Sequence, residues 1–152
     1  MCLFDQFVMY SGAHFINFDS KGRLTLPIKI KQKLVTNTVT VTAHPHGCLL
    51  FFSDKNWKKV SENFSLLASL DEQTSFWKRL ILGFAESIKI DSSNRILIPL
   101  SSRQFANIDK KAILIGQGSY FELWDLKSWN QLINKNQKNK WETPDSITGS
   151  FL

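Results

Sequence analysis

The sequence predicts an α+β domain with a mainly β core, built from two copies of one unit that close on each other about a pseudo-twofold axis. The stretch Asp19-Ser20-Lys21-Gly22-Arg23-Leu24-Thr25-Leu26-Pro27 returns 72 residues later as Asp91-Ser92-Ser93-Asn94-Arg95-Ile96-Leu97-Ile98-Pro99. Short apolar alternations around both stretches read as strands. A chain of 152 residues has room for one substantial core, and two copies are too few to stack as a solenoid. Each half is therefore expected to cover the apolar face of the other.

Met1 to Gly12 precede the first copy, and the eight residues before Met9 have no counterpart in the second. They read either as a loose extension or as a stretch upstream of a start at Met9. The opening Met1-Cys2-Leu3-Phe4 lacks a basic leading region and a small-residue cleavage site, so a signal peptide is not expected. His14 to Phe18 reads as a strand, Asp19 to Gly22 as a turn and Arg23 to Leu26 as the outgoing strand. Aspartate at the head of such a turn accepts backbone N–H groups, Gly22 takes positive φ without steric cost, and Asn94 is the non-glycine residue that tolerates it best. Pro27 suits the first turn of a helix over Ile28 to Val35, with Lys29 and Lys33 one turn apart. Alternation of Ile28, Lys29, Ile30 and Lys31 gives a competing edge strand; the proline, and Gln32 matched by Gln104, favour the helix.

Thr38 to Ala43 is β-branched and predicts a strand, turned by His44-Pro45-His46-Gly47 into the apolar Cys48 to Phe52. Ser53 or Asp54 caps a helix with Trp57, Val60, Phe64, Leu67 and Ala68 on one face, and Asp71-Glu72 opens another with Phe76, Trp77, Leu80, Ile81 and Phe84. This helical pair joins the copies. The second copy repeats the series: strand to Ile90, turn, strand Arg95 to Ile98, helix from Pro99, strands near Ala112 to Ile115 and Tyr120 to Trp124, and a helix from Asp125 through Ile133. Asn134 to Leu152 reads as a polar tail. A gap-free overlay of residues 14 to 60 on 86 to 132 pairs Ile16 with Ile88, Val41 with Ile113, Lys55 with Lys127 and Trp57 with Trp129. The predicted division is an extension over 1–12, repeats over 13–56 and 86–129, a helical connector over 57–85, and a helix end with tail over 130–152.

Composition is globular, with 43% hydrophobic and 21% charged residues, and no apolar run is long enough to span a membrane. Cys2 and Cys48 are too few for a disulfide framework, which fits a reducing cytoplasm. Charge is uneven. Residues 14 to 60 hold eight basic side chains against two acidic ones, net +6, whereas residues 86 to 132 hold six against five, net +1. A one-sided basic surface attracts polyanions, nucleic acid first among them; a solvated lysine-rich face is the plainer reading of the charge alone.

Arg23, with Lys21 beside it and Lys29 and Lys31 nearby, is the leading candidate for contact with phosphate or guanine, since its guanidinium is a planar five-donor fork. Arg95 has weaker basic company and is auxiliary. Asp19, Gly22, Asp91 and Asn94 are the turn-forming residues. His44, His46 and Cys48 alternate, yet no second cluster completes a tetrahedral metal site, so turn and core roles are expected and no metal or other cofactor is. No phosphate loop, nucleophile elbow or Cys-His pair appears, and no enzyme is expected. A small β-barrel enzyme with Asp19 or Asp91 in its pocket, and an RNA-binding or scaffold module, remain the alternatives from other classes.

The tandem Asp-x-x-Gly/Asn-Arg turns followed by an aliphatic pair and proline, the segment Arg79-Leu80-Ile81-Leu82-Gly83-Phe84-Ala85 leading into the second copy, and Phe121-Glu122-Leu123-Trp124-Asp125 near its end form an ordered set. That set resembles the MraZ family, bacterial transcriptional regulators with two SpoVT-AbrB domains in one chain. The likeness covers about Met9 to Ile133, with Asn94 standing where the family pattern has glycine. It implies a swapped-hairpin barrel of the AbrB type with outer helices, and ring-like homo-oligomers in the cytoplasm associated with the nucleoid. It also implies binding to direct repeats of double-stranded DNA in the promoter of the division and cell-wall gene cluster that holds the family member's own gene, with repression as the expected sign.

Overall fold

The first strand of each copy finds its ladder in the other copy, since among the described residues neither copy supplies a ladder for its own first strand. The computed structural model describes residues 9–148. The first eight residues of the extension predicted over 1–12, with Cys2, and the last four residues of the predicted tail lie outside them. The first copy comprises β1 (Ala13–Asn17), β2 (Arg23–Thr25), α1 (Ile28–Lys33), β3 (Thr38–Ala43), β4 (Leu49–Ser53) and α2 (Asp54–Leu66). Helix α3 (Glu72–Ile81) leads to β5 (Glu86–Lys89), β6 (Arg95–Leu97), α4 (Leu100–Phe105), β7 (Lys111–Gly116), β8 (Phe121–Asp125) and α5 (Leu126–Gln137). Six strands form an antiparallel sheet in the order β1-β7-β8-β4-β3-β5, and β2 pairs with β6 in a separate two-stranded ribbon. So β1 of the first copy lies on β7 of the second, β5 of the second lies on β3 of the first, and β4 meets β8 at the centre. The expected α+β class with a mainly β core is what is observed.

Burial explains the sequence pattern. One face of the sheet carries Ile16, Val39, Val41, Leu49, Phe51, Ala112, Leu114, Phe121 and Leu123, which pack with Leu24, Leu26, Ile96 and Ile98 from the ribbon strands and the residues just after them. The other face carries Leu50, Phe52, Ile113 and Trp124 under Trp57, Val60 and Phe64 of α2 and Trp129 and Leu132 of α5. Being covered on both faces, β4 is apolar without alternation. Helix α2 is capped by Ser53, whose hydroxyl accepts the Asn56 N–H at 3.3 Å, and α3 by Asp71, which accepts the Thr74 N–H at 2.7 Å. The buried Thr42 hydroxyl donates to the Ile81 carbonyl at 2.7 Å, which pins the end of α3 to β3.

The gap-free overlay fails in one segment. Val41 points into the inner core while Ile113, its predicted counterpart, packs on the outer face beside Trp124; Leu114 holds the place equivalent to Val41. The connector before β7 is one residue longer than its first-copy equivalent and passes through Asn107 at φ 52. The following hairpin is one residue shorter, closing Gln117 N–H on Tyr120 O where the first closes His44 N–H on Cys48 O. Because side chains alternate along a strand, this one-residue offset exchanges faces, and the spacing of 72 returns only at β8.

Element ends also differ from expectation. Helix α1 stops at Lys33 rather than Val35, as Leu34 turns extended at ψ 128 and packs against the inner core. Pro27 and Pro99 stand just outside their helices, as capping residues at φ −56 and −54. The ribbon strands end at Thr25 and Leu97, one residue short of the predicted bounds. Helix α5 runs to Gln137, four residues past Ile133, and the Trp141 indole N–H donates to Asn136 O at 2.8 Å, so the start of the predicted tail is ordered. Among the described residues no helix is long and apolar enough to cross a membrane.

Leu24 and Ile96 are each 1% exposed, whereas Leu97 on the outer face of the same ribbon is 53% exposed. Leu24→Ala is expected to cost about 2–5 kcal/mol of stability and Leu97→Ala no more than about 0.5 kcal/mol, measured by denaturant unfolding.

Candidate nucleic-acid interface

The β2–β6 ribbon is the place where the two conserved-spacing turns meet. Its register pairs Arg23 with Leu97, Leu24 with Ile96 and Thr25 with Arg95. Directly opposed residues share a face, so Leu24 and Ile96 point inward together while Arg23, Thr25, Arg95 and Leu97 form the outer face. The two arginines sit diagonally across the ribbon, with backbones about 7–8 Å apart for such a pair. Sequence reasoning ranked Arg23 first and Arg95 as auxiliary; the pairing brings both to one surface.

The two turns are built alike. Asp19 Oδ1 accepts the backbone N–H groups of Lys21 and Arg23, both at 2.9 Å, and its Oδ2 accepts Arg23 Nε at 2.7 Å. Asp91 Oδ1 accepts Ser93 and Arg95 N–H at 2.8 and 2.9 Å, and its Oδ2 accepts Arg95 Nε at 2.9 Å. Gly22 at φ 83 and Asn94 at φ 58 both occupy the left-handed region that the turn requires. Asn94 thus substitutes for glycine without changing the hydrogen-bond set. Each turn is also stitched to the other copy: Leu26 N–H donates to Asn94 O at 2.8 Å and Ile98 N–H to Gly22 O at 3.1 Å.

Both arginines use Nε for their aspartate, and the terminal guanidinium nitrogens make no hydrogen bond among the described residues. Their side chains are 28% and 36% exposed. A guanidinium held through Nε is fixed in direction yet keeps its outer donors, the arrangement that suits bidentate recognition of guanine or phosphate.

The lysines divide. Lys21 is exposed on the first turn, where the second turn has Ser93. Lys31 Nζ donates to Asn37 Oδ1 at 2.6 Å. Lys29 lines a groove with Lys33, Gln32, Ser11, Gly12, His14 and Phe121, next to the start of β1 and away from the Asp19 turn that follows its end. Sequence reasoning missed Thr25 and Leu97, which only strand pairing reveals, and Arg103, which follows Lys31 by the same 72 residues that separate the two turns. His44 and His46 stack edge to face at 4.6 Å beside Trp77, and the buried Cys48 thiol lies 3.5 Å from Glu122. Burial pushes that thiol well above its ordinary range. Among the described residues no group of three His, Cys, Asp or Glu side chains could hold a metal ion.

The Arg23 backbone N–H, then its guanidinium and the Lys21 N–H, hold the Asp19 carboxyl down at about 2, and the Arg95 N–H lowers Asp91 in the same sense. A depressed carboxyl stabilises the fold above its unfolded value of about 3.9 and loses that contribution as pH falls through the folded value. An NMR titration is therefore expected to place the Asp19 midpoint near 2, moving up only part of the way toward the ordinary carboxylate range in Arg23→Ala, which keeps the backbone N–H at that position.

The model of the family described as "MraZ protein, putative antitoxin-like" matches this chain twice in tandem, over residues 9–78 and 81–149. The transcriptional regulator MraZ of Methylobacillus flagellatus is 38% identical over 148 residues, covering 95% of this chain and 100% of the relative. The protein of the same name from Polaromonas is 39% identical over 140 residues, covering 90% and 95%, and that from Nitrosomonas europaea is 39% identical over 148 residues, covering 95% and 100%. With two tandem matches that span both ribbon turns and relatives aligned nearly end to end, the chain belongs to the MraZ family.

Proposed function

We propose that this protein is a sequence-specific DNA-binding transcriptional regulator, and that the outer face of the β2–β6 ribbon is what meets the DNA. The observation that carries this reading is the pair of arginines, one per copy, each anchored through Nε to its own aspartate with its terminal donors free. A two-stranded ribbon fits the major groove, where arginine reads guanine through two acceptors. Arg23 and Arg95 are the base-reading residues, Lys21 a phosphate contact, and Lys29 and Lys31 phosphate partners further from the turn. Asp19, Gly22, Asp91 and Asn94 serve by holding the arginines. The relatives named as transcriptional regulators support the class of function.

The family resemblance extends the proposal. The target is direct repeats in the promoter of the division and cell-wall gene cluster, the protein's own operon, with repression as the effect and the nucleoid of the cytoplasm as the place. The pairing of β1 with β7 and of β5 with β3 supports a swapped-hairpin barrel made by repeats over 13–56 and 86–129. Phe15, 74% exposed on the edge strand β1, Leu66, 84% exposed at the end of α2, and Leu70, 93% exposed between α2 and α3, support self-association into a ring-like homo-oligomer. A ring would hold several ribbons at fixed spacing and engage successive repeats at high effective concentration. No catalytic role is assigned to any residue.

In fluorescence anisotropy with duplex DNA from upstream of the protein's own gene, Arg23→Ala and Arg95→Ala are each expected to weaken binding by about 1–3 kcal/mol while leaving the folded-state circular dichroism spectrum and native mass unchanged. Affinity unaffected by either substitution would refute the assignment. Wild-type affinity is expected to fall steeply with salt, and a flat dependence would argue against phosphate contact.

A further inference from the structure

We propose that Arg103, carried on α4 of the second copy, makes a DNA phosphate contact beside the Arg23 turn of the first. This rests on the reading of the ribbon as the DNA-binding surface. The ribbon's own charges cancel, since Asp19 and Asp91 each offset one arginine. Attraction to a polyanion must then come from cations beside the ribbon that have no carboxylate of their own. Arg103 is such a cation: among the described residues it forms no ion pair, and the one hydrogen bond of its side chain runs from Nε to Ile98 O at 3.1 Å.

Its position is fixed by the missing side chain of Gly22. A Cβ built on Gly22 would lie 2.5 Å from Arg103 Cζ, 2.6 Å from Nη2 and 2.8 Å from Nε, so the guanidinium occupies the space that any other residue would fill. The same turn is tied in from the other side, because Ile98 N–H donates to Gly22 O while Ile98 O accepts from Arg103. Arg103 therefore rests on the backbone immediately before Arg23, partly exposed, with both terminal nitrogens unbonded among the described residues.

The other end of the ribbon lacks this arrangement. Asn94 brings a side chain where Gly22 has none, and Lys31, at the place equivalent to Arg103, is turned to Asn37. With Lys21 exposed on the first turn and Ser93 on the second, the unneutralised charge gathers at the Arg23 end. Two cations without a carboxylate partner among the described residues, Lys21 and Arg103, thus flank Arg23, and the further phosphate contact that the geometry offers lies there.

Phenylglyoxal modification of the wild-type protein, read for each arginine by mass spectrometry with and without upstream duplex DNA, tests this without altering the fold. Arg23, Arg95 and Arg103 are expected to be protected, with Arg79 on α3 as the unprotected internal control. In parallel, R103Q is expected to weaken binding about ten-fold and to make the slope of log affinity against log salt shallower by about one, as loss of a single phosphate contact does. Protection of Arg23 with Arg103 modified at its free rate, or an R103Q slope equal to wild type, would overturn the proposal for Arg103 alone. Absence of protection at Arg23 and Arg95 as well would overturn the DNA-binding reading of the ribbon, and this inference with it.

Discussion

Cross-copy strand pairing is the constraint on which the rest of this molecule depends. Strand β1 has its ladder on β7, β5 has its ladder on β3, and β2 has its ladder on β6. An unpaired strand would leave backbone N–H and C=O groups without partners in a largely buried setting, at a cost comparable to each lost hydrogen bond. The copies therefore fold as one body. The inner core follows, because the apolar residues of the ribbon and of the sheet seal each other only when both halves are in place.

The surface is a by-product of the same pairing. In a two-residue period, burying Leu24 and Ile96 forces Arg23 and Arg95 outward, and antiparallel registry places them on one face rather than on opposite sides of the molecule. Two guanidinium groups at that separation repel, and the turn aspartates relieve it locally. Each carboxylate does two jobs, closing its turn through backbone N–H groups and orienting its arginine through Nε. The positive φ at Gly22 and Asn94 is the backbone condition for both.

Much of this was legible from residues. Punctuation by Asp, Gly or Asn, Arg and Pro marked the turns, β-branched and apolar runs marked the strands, and Ser53 and Asp71 marked helix starts, since each reports a local requirement of the backbone. What escaped is non-local or involves loop length. The exchange of faces at β7 arises from two one-residue changes that cancel further along, so an overlay scored over its whole length still looks sound. The meeting of Arg23 with Arg95 needs the strand order, and the separation of Lys29 from Lys21 needs the direction in which α1 leaves the ribbon. The reach of α5 to Gln137 depends on Trp141 bonding back to its last turn, which no periodicity in a polar segment announces.

The connector formed by α2 and α3 carries a consequence of its own. Two separate half-chains could build the same sheet only as a homodimer, whose assembly would fade on dilution and in which every substitution must appear at both ends. Joining them makes closure unimolecular, and it releases the two ends from having to match. Gly22 facing Arg103 while Asn94 sits opposite a diverted Lys31 is a difference that a symmetric dimer could never hold. A near-twofold ribbon thereby acquires a head and a tail, as the proposed binding to repeats that all run in one direction requires.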